Sequence, residues 1–322
     1  MDHAVEEDNG DIFIYRGGRA PLHVTHARID KSVDEIENHA FNGCRNLLTV
    51  ETHDGIRRVG KFAFYNCKSL RWINLKSAVE IGDSAFNACV NLETVEFGDR
   101  LEIIGGYAFD GCTSLTNLKL PTIITIGAYE FDYCTSLTDV ELPERLETIG
   151  ACTFWRCKRI QRIAIPLKRD LFVYDGDNHE YNQFSACEQL ATVDIVGGID
   201  KTVASLHMES WRTEMIEEIN RINQVLPNSR ADDKTEEIQQ WMELVHDRLD
   251  HYKAEHCRYV KEGLTLLELA LWKAKLGEKE DNCEEGRTKK AKIDTGSYRR
   301  DKRITCGADM VIKNVLPYLQ LE

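Results

Sequence analysis

Cysteine and histidine are the residues of this chain whose types and spacing could do chemistry, with eleven of the first and ten of the second in 322 residues. Seven cysteines stand three residues after a phenylalanine: Phe41–Cys44, Phe64–Cys67, Phe86–Cys89, Phe109–Cys112, Phe131–Cys134, Phe154–Cys157 and Phe184–Cys187. Such a set could be a disulfide framework. Cysteines in one slot of consecutive units, however, would sit roughly 4.8 Å apart with side chains parallel, close enough to bridge but with Cβ vectors badly aimed. The odd total also argues for reduced, buried thiols. His246, His251, His256 and Cys257 invite a zinc reading. Steps of five turn a helix by about 140° and scatter these ligands, whereas metal-binding helices use steps of three or four. The chain shows no G-x-S-x-G, no phosphate loop and no zinc spacing, so no catalytic residue, metal or cofactor is expected.

The elements that hold these residues follow from their spacing. Successive phenylalanines are separated by 23, 22, 23, 22, 23 and finally 30 residues. A fixed period in this range marks one supersecondary unit stacked on copies of itself. The frame is I-G-x-x-A-F-x-x-C-x-x-L-x-x-V-x-L-P, as in Ile126, Gly127, Phe131, Cys134, Leu137, Val140, Leu142 and Pro143. Its end alternates, with Val140 and Leu142 facing one way and Asp139 and Glu141 the other, which predicts a short half-buried strand. The glycine predicts a turn with positive φ, and A-F-x-x-C one turn of helix. Each unit should read strand, turn, short helix, turn.

This frame resembles the BspA-type leucine-rich repeat, over Val24 to Ile195. The tail resembles large groups of uncharacterised diatom proteins through INQVLP at Ile222–Pro227, DHYKAEH at Asp250–His256, LLELALWKAKL at Leu266–Leu276 and CGADMVIKNVLPYL near the end. The resemblance implies an α/β repeat solenoid of seven to eight units with an α-helical C-terminal module. It also implies protein recognition or adhesion in place of catalysis.

Five segments are expected. Residues 1–21 form an acidic segment with a capping strand at Ile12–Tyr15, and 22–200 the solenoid, with an insertion at 168–182. Residues 201–276 step as a helical hairpin: Trp211, Met215, Ile219, Ile222 and Leu226, then Ile238, Met242, Val245, Leu249, Tyr252, His256, Val260, Leu264, Leu267 and Leu271, with a break near Gly263. Residues 277–303 are a charge-segregated linker expected to be disordered, and the apolar 304–322 should dock back on the body.

The recognition surface expected of a solenoid is its concave strand face. The outward positions of L-x-x-V-x-L give one column, Thr49, Trp72, Thr94, Asn117, Asp139, Arg162 and Thr192. A second column is Glu51, Asn74, Glu96, Lys119, Glu141, Ala164 and Asp194, mostly acidic. Trp72 is the expected anchor. A net charge of −13 argues against nucleic acid and anionic lipid as partners, leaving a protein. The first 30 residues carry several acids and no apolar run beyond Ile12–Tyr15, so a cytosolic address without a secretory leader is expected. Two alternatives accompany the scaffold reading. One is self-association as a coiled coil through helices 209–276, although an average step of 3.6 residues favours a cap on the solenoid. The other is a nuclear adaptor, imported through the basic runs within Arg287–Arg303.

Overall fold

The computed structural model describes residues 12–173, 182–206 and 208–285, with side chains described as far as residue 273. The chain divides into two units, Met1–Tyr252 and Lys253–Glu322. The first holds a parallel β-solenoid of stacked turns. Its main strands are the L-x-x-V-x-L segments. Ile12–Tyr15, His26–Ile29, Thr49–Glu51, Trp72–Leu75 and Thr94–Phe97 form a five-stranded parallel sheet. Asn117–Lys119, Asp139–Glu141, Arg162–Ile165 and Thr192–Ile195 form a four-stranded one. The expected capping strand pairs residue for residue with His26–Ile29. Each of the six units from Phe41 to Phe154 also carries a two-residue strand that the sequence reading lacks. Glu35–Ile36, Arg58–Val59, Glu80–Ile81 and Ile103–Ile104 stack in one such ladder, and Thr125–Ile126 with Thr148–Ile149 in another.

Phe41, Phe64, Phe86, Phe109, Phe131, Phe154 and Phe184 form one continuous column inside the stack, each fully buried. Consecutive ring centroids are 5.0 to 5.7 Å apart with planes within 9° of parallel. Edge-on rings close the column at its ends. Phe13 meets Phe41, and Phe172 from the insertion meets Phe184. Phe172 also bridges to Ile149, so the start of the insertion belongs to the stack; residues 174–181 lie outside the described residues.

Two local expectations are corrected. The glycine of I-G does not have positive φ. A Cβ on Gly60 would lie 2.6 Å from the backbone nitrogen of Asn38, and one on Gly105 would lie 2.5 Å from that of Asp83. These glycines let one rung's backbone close on the next. Nor is A-F-x-x-C a helical turn. The Cys44 amide donates to the Phe41 carbonyl three residues back at 3.0 Å, but the Phe41 amide donates to Ala63 in the next unit at 2.7 Å and Gly43 to Tyr65 at 2.8 Å. Alternate amides thus leave the unit for the neighbouring rung, which a helix cannot allow. The turns also need left-handed backbone at two fixed slots. The first is His39, Phe62, Ser84, Tyr107, Tyr129 and Cys152, with φ from 54° to 61°; the second is Gly43, Asn66, Ala88, Gly111, Tyr133, Arg156 and Ala186, with φ from 56° to 78°.

The helical module finishes the stack. Helix α1 spans Ile199–Val203, α2 spans Glu209–Val225, a 3₁₀ turn covers Leu226–Asn228, and α3 spans Lys234–Glu285. The stepped apolar residues Trp211, Met215, Ile219, Ile222 and Leu226 are buried, as are Ile238, Met242, Val245, Leu249 and Tyr252. Polar side chains stand in for the rung that would come next. Asn223 Oδ1 accepts the Val193 amide at 2.8 Å and Thr235 Oγ1 the Phe184 amide at 3.0 Å. Lys234 Nζ donates to the carbonyls of Leu190 at 2.5 Å and Glu188 at 3.1 Å. Residues 209–252 therefore act as the expected cap.

Helix α3 is not broken at Gly263, and residues 277–285, expected as the start of a disordered linker, continue it. A lone glycine costs only about 1 kcal/mol in a helix, and extending an existing helix needs no new nucleus. The acidic segment 1–11, the rest of the linker with its basic runs, and the segment 304–322 lie outside the described residues.

Candidate functional site

The seven repeat cysteines are free and buried. Each of the last six donates its Sγ–H to the carbonyl of the phenylalanine one unit earlier, at 3.0 to 3.4 Å. Cys44 reaches the Pro21 carbonyl at 3.5 Å in the same way. A small side chain with a weak donor suits this slot, because it gives each of these carbonyls, which already accepts a backbone amide three residues on, a second partner. Burial pushes the Cys44 thiol up to about 11 and those of Cys89 and Cys187 up to about 12; Cys67, Cys112 and Cys157 move in the same direction. The thiolate is the reactive species. Native alkylation should therefore be slow at the ladder and fast at exposed Cys257, as mass spectrometry of time-quenched samples would show. Labelling of all seven as fast as Cys257 would contradict the ladder.

His246, His251, His256 and Cys257 all lie on α3. Among the described residues no group of three or more His, Cys, Asp or Glu side chains could hold a metal ion. No described helix is long and apolar enough to cross a membrane.

The predicted columns are in register on the main sheets. Thr49, Trp72 and Thr94 pair along one sheet, as do Asn74 and Glu96. Asn117, Asp139, Arg162 and Thr192 pair along the other, beside Lys119, Glu141, Ala164 and Asp194. All of these are partly or fully exposed except Ala164, which is buried. Trp72 is 43% exposed between two threonines. The second column is not the bare acidic strip its composition suggests. Arg28 pairs with Glu51 at 2.5 Å, Lys76 with Glu96 at 2.8 Å and Lys119 with Glu141 at 3.1 Å. Arg162 bridges Asp139 at 3.0 Å and Asp194 at 2.5 Å. The face is thus polar and largely charge-balanced, with one projecting tryptophan, and Thr49 Oγ1 on it lies 2.8 Å from His26 Nδ1.

Two features of the turns escaped the sequence reading. One is a set of aromatic residues on their outer side, Tyr107, Tyr129, Tyr133 and Trp155, with Arg156. The other is a pair of buried acids in the same turns. Glu130 takes the slot held by Ala40, Ala63, Ala85 and Ala108 in earlier units, and is 1% exposed. Its Oε1 accepts the Gly127 amide at 2.6 Å, while Oε2 has no hydrogen-bond partner. Burial pushes its carboxyl up to about 8. Asp132 is pushed up to about 7 by burial and by neighbouring Asp110, against the pull of Arg156. Aligning the units column by column would have shown both.

No curated protein matches the chain. Among solved structures, it is similar to a leucine-rich repeat protein of T. pallidum, with 26% identity, 62% of this chain and 90% of that one covered, and a TM-score of 0.48. A leucine-rich cell surface protein of Faecalibacterium prausnitzii is 25% identical, with 60% of this chain and 55% of that one covered and a TM-score of 0.45. A leucine-rich repeat protein of Bacteroides ovatus is 21% identical over 53% of this chain and 61% of that one, with a TM-score of 0.37. The chain spans less than two thirds of the latter two. The family model for the BspA type leucine rich repeat region matches in six copies over residues 21–105 and 79–205. With the stacked parallel rungs this match covers more than half of the sequence, and the chain belongs to the BspA-type leucine-rich repeat family.

Proposed function

We propose that the protein is a non-catalytic scaffold that binds a protein partner through its main strand face. The observation that carries this reading is the in-register array of exposed side chains around Trp72, held on paired strands before any partner arrives. Pre-organisation lowers the ordering cost of association, and an exposed tryptophan in a polar setting suits an anchor. Once proximity labelling and a pull-down have identified a partner, Trp72→Ala should weaken it by at least about 1 kcal/mol with the unfolding midpoint nearly unchanged. Charge reversal at Glu96 and Glu141 should slow association more than it speeds dissociation if the partner is basic.

A second reading is self-association through α3, favoured by the exposure of Leu266, Leu269 and Trp272 at 68%, 60% and 70%. Normal binding by the strand-face variants, with loss in a variant polar at those three positions, would move recognition to α3.

A further inference from the structure

The left-handed slots of the turns show what the outer side of the stack is built to hold. Left-handed backbone is strained for bulky residues and easy for glycine or asparagine, and Gly43, Asn66 and Gly111 use the second slot in that way. Yet Tyr107 and Tyr129 occupy the first slot at φ of 59° and 61°, and Tyr133 the second at 56°. Tyr107 is 45% exposed and Tyr133 38% exposed, so neither ring is there to fill the core. Tyr107 and Tyr129 stack at 5.0 Å, and Tyr133 meets Trp155 edge to face at 6.0 Å. His39 and Phe62 stack in the first slot at 5.1 Å, so the left-handed backbone belongs to the repeat, and what marks Tyr107 and Tyr133 is the exposure of their rings.

The molecule also shows which chemistry these rings accept. Arg156, in the second slot, lies with its guanidinium 3.9 Å above the Trp155 ring and 4.7 Å from the Tyr133 centroid. Acids lie in the same turns: Asp110 is half-buried with Asn87 Nδ2 donating to its Oδ2 at 2.9 Å, and Asp132 is buried with Oδ1 lacking a hydrogen-bond partner. Aromatic faces beside carboxylates select cations, and planar guanidinium stacks on rings better than an ammonium does. We infer that the turn face around Tyr107, Asp110 and Tyr133 is a second docking surface, and that it takes an arginine-bearing segment of a partner protein.

The test uses the full chain and three fluorescein-labelled peptides of equal length, oligo-arginine, oligo-lysine and oligo-glutamate, read by fluorescence anisotropy at physiological salt. Oligo-arginine should bind more tightly than oligo-lysine. Tyr107→Asn with Tyr133→Asn should weaken it at least about tenfold, and Asp110→Asn should weaken it to a smaller degree. The thermal midpoint of the double variant should hold or rise, because asparagine tolerates the left-handed slot. Equal affinity for the two basic peptides would reduce the effect to net charge and overturn the proposal. So would unchanged binding in the tyrosine variants, or a midpoint that falls together with affinity, which would make the rings structural. Preference for the acidic peptide would give the face a different occupant.

Discussion

Phe109→Ala should lower unfolding stability by about 3 to 5 kcal/mol, the range for removing a fully buried aromatic side chain and leaving a cavity. Phe109 stands mid-column, 5.2 Å from Phe86 and 5.4 Å from Phe131, with Phe97 edge-on at 5.8 Å. Its neighbours cannot close the gap, because the rung spacing is set by backbone hydrogen bonds. Asp139→Ala is the contrast. Its partner Arg162 keeps Asp194, and partly exposed pairs contribute up to about 1 kcal/mol. Denaturant unfolding of both variants measures the difference. Similar losses at the two sites would mean that the column does not carry the stack.

The second large effect concerns pH. Burial raises the Glu130 carboxyl to about 8 from an ordinary 4.5, so the folded state holds the proton more tightly than the unfolded chain. The resulting stabilisation is complete below the unfolded value and is lost as pH rises towards about 8. At about 1.4 kcal/mol per unit, this amounts to roughly 3 kcal/mol between about pH 5 and pH 8. Asp132, raised to about 7, acts in the same direction. Glu130→Ala restores the residue that four other units place in this slot. It should be more stable than the native chain at pH 8 by about 2 to 3 kcal/mol and close to it at pH 5. Urea titrations at the two pH values decide the matter, since parallel pH dependence in both proteins would show that Glu130 carries no such load.

The parts of this fold that repeat were legible in the sequence. Phenylalanine and cysteine recur at one period, and the strand alternation placed Trp72, Glu96, Asp139 and Glu141 in their observed columns. The two-residue strands were not, because Glu35–Ile36 and its counterparts are too short to carry a period of their own. Apolar residues three apart in A-F-x-x-C fit a helix and a tight turn equally well. Tyr107 and Tyr133 sit where local preference would put glycine or asparagine, so propensity concealed the left-handed slots. Asn223, Lys234 and Thr235 imitate a backbone rung with side chains. Such imitation has no repeating signature.

That imitation also fixes how the molecule can vary in length. An exposed parallel edge is a template on which a further strand can add. Here Val193 and Phe184 already donate to Asn223 and Thr235, and the carbonyls of Glu188 and Leu190 already hold Lys234. A new unit placed after Ile195 would have to displace all three side chains. One duplicated between Phe64 and Phe131 would meet neighbours of its own kind on both sides. The array can therefore grow from within but not from this end, and its C-terminal boundary travels as one piece with α2 and α3 up to Tyr252.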